Sequence, residues 1–173
     1  MFITSGTLAF YGLAHNRAKL RELYTFHPVW VLVGCASAVI LYLLFFVGDK
    51  VAASLFEFTG SQIAGIYRTK AQASPLLIGS LLLFWIGPGE EIFWRGFVQQ
   101  RFSEMVGPWR GYIITSAIYA GVHVWAFNVM LVLAALICGL FWGWMFLKYK
   151  SVWPGLISHA VWDVTIFVLF PLR

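Results

Sequence analysis

Charge is what this chain has least of. Of its 173 residues 11% are Asp, Glu, Lys or Arg, against about 25% in an average soluble domain. An ordinary soluble globule is thereby excluded, because 61% of the residues are hydrophobic and they come in long runs rather than in an amphipathic pattern. There is no block of Lys and Arg, so the net charge of +5 does not point to nucleic acid; the bases stand at the ends of apolar runs, where they report topology. Cysteine is scarce too. Cys35 and Cys138 both lie inside apolar segments, with neither a pairing pattern nor metal spacing, and read as small buried hydrophobes. No basic residue precedes the apolar stretch Phe2 to Ala14 and no clear cleavage site follows it, which argues against a signal peptide. That stretch is expected to be an interfacial segment, or a helix that begins outside the bilayer core. Internal repeats and low-complexity linkers are missing as well.

What is present is a set of membrane-length runs. Pro28 to Val47 passes without a charge, at about the twenty residues needed to cross a bilayer core. Five spans are expected: Pro28–Val47, Pro75–Phe102 with a break, Tyr112–Asn128, Val129–Leu147 and Val152–Phe170. The segment Val51–Tyr67 carries Glu57, Thr59, Ser61 and Gln62 and reads as an amphipathic or partly inserted helix. The fold class is therefore all-α, a polytopic transmembrane helical bundle, with residues 1–173 forming a single integral membrane domain. Arg17, Lys19 and Arg21 precede the first span and place the N-terminus in the cytoplasm; Arg101, Arg110, Lys148 and Lys150 then also fall on that side. Lys50, Arg68 and Lys70 lie on the other side against this trend. So compact a chain fits a prokaryotic plasma membrane.

An ionisable side chain at membrane depth costs about 2.5–3.5 kcal/mol or more, so the few that occur there are usually functional. This chain holds Glu90, Glu91, Arg95, His123, His159 and Asp163, drawn from three helices. At ~1.5 Å per residue, Glu90, His123 and His159 lie roughly 16, 20 and 14 Å from the basic residues at the cytoplasmic ends of their helices. Similar depth on separate helices implies one shared polar cavity. Glu91 and Arg95, Tyr119 and His123, and His159 and Asp163 each stand four apart, on one helix face. Gly87-Pro88-Gly89 just ahead of Glu90 is expected to break or kink the helix, leaving a positive dipole end near the two carboxylates.

Glu90-Glu91-Ile92-Phe93-Trp94-Arg95 has the form Glu-Glu-x-x-x-Arg, Tyr119 to His123 the form aromatic-x-x-x-His, and His159 to Asp163 the form His-x-x-x-Asn/Asp. In this order on successive membrane helices, the three motifs resemble the CPBP family of intramembrane proteases, also called the ABI or CAAX prenyl protease 2-like family. The resemblance covers residues 75–173, the expected catalytic core. Tyr119 stands where the family more often has Phe, and Asp163 is the acidic option at its position. The resemblance implies hydrolysis of peptide bonds inside the membrane. A carboxylate in a low-dielectric cavity suits general-base work on water, a role assigned to Glu90. His123 shares or positions that water. His159 and Asp163 orient one another or stabilise the oxyanion, and Glu91 with Arg95 is a supporting pair. Metal is left open. Glu90, His123 and His159 would be the ligands of a divalent ion such as zinc, but the chain lacks His-Glu-x-x-His, and the reading leans to a metal-free mechanism.

Each feature taken alone has a plainer explanation: a buried ion pair, a satisfied core histidine, a helix–helix clasp. It is their coincidence at one depth that favours an active site. The chain has no Gly-x-Ser-x-Gly elbow, and Asp163 is the one aspartate within a span, which excludes serine-elbow and two-aspartate proteases. The expected partners are the lipid bilayer and a membrane-anchored protein or peptide substrate. A non-catalytic binding or immunity protein on the same fold, or a small proton-coupled transporter using the charges as a relay, are the alternatives. Trp94, Trp125 and Trp162 are candidate walls of the cavity, and Asp49 and Glu57 are expected at headgroup level.

Overall fold

Lipid offers no hydrogen-bond partners, so the apolar runs satisfy their backbones internally as helices. The computed structural model describes residues 2–70 and 73–172, and every regular element among them is helical. In order these are α1 (Phe2–His15), a 3-10 turn leading into α2 (Leu20–Leu23), α3 (Val29–Leu55), α4 (Thr59–Lys70), α5 (Pro75–Val106), α6 (Pro108–Gly121), α7 (Val129–Tyr149) and α8 (Trp153–Leu169). Among the described residues α3, α5 and α7 are long and apolar enough to cross a membrane, with 27, 32 and 21 residues. The other two expected spans are helical but shorter, α8 being a short apolar helix and α6 having 14 residues. Residues 1 and 173, the ends of the expected single domain, lie outside the described residues.

Local chemistry sets the boundaries. Ser74 caps α5 by accepting from the Leu77 N–H at 3.3 Å, and Pro75 takes the first helical position, where its missing N–H costs nothing. Asn128 caps α7 through the Leu131 N–H at 3.0 Å. The α5–α6 turn runs through Gly107 at φ 92°, left-handed backbone that glycine adopts without strain.

Two expectations need correction. Proline does not break α5. Leu82–Ile86 winds as a π-helix immediately before Gly87-Pro88, with the Gly87 N–H reaching the Leu82 carbonyl; this wider turn absorbs the proline and the helix continues. No separate helix end therefore faces Glu90 and Glu91. Secondly, Val51–Tyr67 is not one element. Val51 to Leu55 are the last turns of α3, and α4 is a 12-residue helix, about 18 Å long and too short to cross. Because α4 folds back on the bundle, Asp49 is buried, 6% exposed and within electrostatic reach of Tyr67, while Glu57 is exposed. Tyr67 ties α4 down, donating to the Ile166 carbonyl at 3.0 Å and accepting from the Leu172 N–H at 3.2 Å.

The core sits where α8 meets α3, α5 and α7, built from Leu41, Trp94, Tyr119, Cys138, Trp142, Met145, Trp162 and Ile166. Helices in lipid associate by close packing and interhelical hydrogen bonds, which small residues permit. Gly139 and Gly143 on α7 receive Tyr119 and Ser116, and Tyr112 and Gln99, respectively. Gln99 Nε2 donates to the Gly143 carbonyl at 2.8 Å and Ser116 Oγ to the Gly139 carbonyl at 3.0 Å. The segment Phe2 to Ala14 folds as α1 and lies along α5, with Ser5 against Gly89 and Gly12 against Phe97. Beyond it, Asn16 Nδ2 donates to the Gly96 carbonyl at 2.5 Å, and Trp153 Nε1 to the Tyr24 carbonyl at 2.8 Å.

The α3–α8 contact yields a test. A Cβ at Gly34 would lie 2.6 Å from Ile157, whereas one at Gly48 on the same helix meets nothing within 4 Å. Gly34→Ala should therefore destabilise the bundle by about 1–3 kcal/mol, while Gly48→Ala leaves thermal unfolding in detergent unchanged or slightly raised.

Candidate active site

The three motifs meet around α5, the third at Glu91 through His159 and the second at Glu90 through Tyr119. Glu91 is completely buried, and its Oε1 serves two partners. Arg95 Nη1 donates to it at 2.8 Å from one turn further along α5, and His159 Nδ1 approaches at 2.9 Å from α8. The second helix partner of His159 is Asp163, whose Oδ2 lies 3.7 Å from Nε2. The imidazole thus stands between two carboxylates, and the nearer is Glu91 rather than the Asp163 that the four-residue spacing singled out. Arg95 is 2% exposed and sends Nη2 to the Gly139 carbonyl at 3.3 Å, which fastens α5 to α7. A side chain at Gly155, in the first turn of α8, would come within 2.9 Å of Glu91 Oε2, so glycine is what lets α8 close on the carboxylate.

Trp142 is a site residue that the sequence did not reveal. Its ring lies on His159 in a stack, centroids 3.7 Å apart and planes 16° from parallel, and its Nε1 donates to Ser158 Oγ at 3.1 Å. Nothing in its surroundings on α7 is charged, so no motif marks it; the signal is only a large residue one position before Gly143. Trp94 and Trp162 are buried in the packed core beside the site, and Trp125 is turned outward at 81% exposure.

Glu90 occupies the neighbouring face of α5, half-buried, and Tyr119 donates its hydroxyl to Oε2 at 2.9 Å. Tyr119 also holds His123, whose Nδ1 lies 2.7 Å from the Tyr119 carbonyl. A carbonyl only accepts, so Nδ1 carries the proton and Nε2 of the neutral ring keeps its lone pair. His123 itself lies two residues past the end of α6 rather than inside a helix, because the chain turns through Val122 into a 3-10 segment, Val124–Ala126. The four-residue relation to Tyr119 survives in that turn. Glu90, Glu91 and Asp163 are all within electrostatic reach of His159.

These donors do not fit a metal centre. Among the described residues no three of His, Cys, Asp and Glu converge as a metal ion requires, and Nδ1 of His159 is engaged by Glu91 at 2.9 Å.

A family model, Type II CAAX prenyl endopeptidase Rce1-like, matches residues 72–165. This is more than half of the chain and takes in Glu90, Glu91, Arg95, His123, His159 and Asp163; the chain belongs to that family. It is thereby an integral membrane hydrolase, a protease of the CAAX type. No curated protein and no solved structure matches the chain significantly. Helices α1 to α4 lie outside the matched region.

Removing one partner of a buried ion pair leaves the other charge uncompensated. Arg95→Met should cost about 3–5 kcal/mol in detergent unfolding, and adding Glu91→Gln to it should recover part of that loss.

Proposed function

We propose that the protein is an intramembrane endopeptidase that cleaves a membrane-associated protein or peptide with a water activated by Glu90. The observation that carries this reading is the meeting of three motif-bearing helices. Glu91 joins α5 to α8 through His159, and Tyr119 joins α6 to Glu90.

The chemistry follows from the roles open to each side chain. Glu90 is half-buried, so it is the carboxylate of the pair that water can reach, whereas Glu91 is sealed and committed to two cationic or donor groups. Glu90 takes a proton from water as the oxygen attacks the scissile carbonyl carbon. The carbonyl π pair moves onto oxygen, and His159 donates to it through Nε2–H, which lies 3.7 Å from Asp163, while Nδ1 stays on Glu91. The proton on Glu90 passes to the leaving nitrogen as the C–N bond breaks. His123 contributes the lone pair of Nε2 to hold the water, and Arg95 holds Glu91 in place. The cytoplasmic basic residues orient the chain in a prokaryotic plasma membrane with its N-terminus inside, and α5 to α8 form the catalytic core.

The test is cleavage of membrane-anchored peptides by purified protein. Glu90→Gln should lower kcat by about 10²–10⁴-fold with folding intact, and a chelator should leave the wild-type rate unchanged. Wild-type cleavage by Glu90→Gln would remove Glu90 from the base role, and loss of cleavage on chelation would replace the metal-free route.

A further inference from the structure

Position 119 is where this chain departs from the commoner phenylalanine of the motif, and the extra atom has a definite use. The ring is 5% exposed and lies edge-on to Trp94 at 5.3 Å, against Gly139 and under the Arg95 guanidinium at 5.0 Å. Phenylalanine would keep all of those contacts. A buried phenol, however, needs a hydrogen-bond partner. The partner here is a carboxylate oxygen on another helix, Glu90 Oε2 at 2.9 Å. Such a bond to an ionised acceptor is among the stronger neutral-to-charged contacts.

We infer that the Tyr119 hydroxyl is a positioning group for the reacting carboxylate, holding Glu90 by one oxygen so that the other is presented to water. The inference rests on Glu90 being the base. Glu90 projects from a half-buried place on α5 with several free torsions. One charge-assisted bond at Oε2 selects a single orientation and leaves Oε1 as the acceptor for water. The carbonyl of the same residue receives Nδ1–H of His123. Tyr119 therefore sets two members of the site relative to each other, the carboxylate through its side chain and the imidazole through its backbone. Replacing the hydroxyl alone disturbs only the first.

The experiment compares wild type, Tyr119→Phe and Glu90→Gln as full chains in lipid bicelles, using a membrane-anchored peptide the wild type cleaves. Unfolding temperature and the infrared carboxyl bands are recorded beside kinetics. Tyr119→Phe should lose about tenfold or more in kcat, with KM and unfolding temperature unchanged. It should also shift the carboxyl band that disappears in Glu90→Gln. Wild-type kcat in Tyr119→Phe, with Glu90→Gln inactive, would overturn the positioning role and leave the base assignment standing. Full activity in Glu90→Gln would instead overturn the base assignment and the inference with it. An unmoved Glu90 band in Tyr119→Phe overturns the inference even if no peptide tried is cleaved. A loss of kcat matched by a fall in unfolding temperature would make the hydroxyl structural.

Discussion

Glu91 brings a carboxylate into the middle of a membrane bundle with none of its surface exposed, and an ion so placed is tolerable only if opposite charge and donors surround it. Arg95 Nη1 and His159 Nδ1 meet that need at one oxygen. The consequences spread outward. Arg95 must lie along α5 toward α7, where it reaches the Gly139 carbonyl. His159 must face α5, which sets the rotation of α8 and puts the ring on Trp142. Gly155 must lack a side chain for α8 to come so close. The third motif is thus locked to the first by a contact that is electrostatic in origin and has no catalytic step of its own.

Beside that sealed pair lies a carboxylate that is only half-buried. Adjacent residues on a helix point about 100° apart, so Glu90 and Glu91 occupy different surroundings although they are neighbours in sequence. One is consumed in assembling the bundle; the other meets Tyr119 and stays partly exposed. A membrane hydrolase needs both kinds. The first draws the helices together at a polar point in lipid, and the second is the carboxylate proposed to activate water there.

Much of this was legible before any coordinates. Long uncharged runs forced helices, and ionisable residues too costly for lipid marked the cluster that α5 and α8 bring together, because both signals are large against the energies that compete with them. The four-residue spacing placed Glu91 on Arg95 correctly. The same rule paired His159 with Asp163, which sits 3.7 Å away, and missed the closer partner from another helix, since spacing says nothing about rotation between helices. Proline suggested a break in α5, but whether a helix breaks or absorbs proline in a π turn depends on its neighbours. Sequence alone places Asp49 at headgroup level rather than in the protein interior, because nothing in it says that α4 folds back on the bundle. Trp142 carries no charge and no motif, and its stack on His159 is a purely tertiary fact.

The claim on which the account turns is that Glu91 and His159 form one interaction between α5 and α8. A double-mutant cycle measures it directly. Equilibrium unfolding in mixed micelles would be followed for wild type, Glu91→Gln, His159→Gln and the double variant. The account predicts a coupling of about 1 kcal/mol or more between the two positions. Additivity to within about 0.3–0.5 kcal/mol would mean that the two side chains do not meet, and would contradict it.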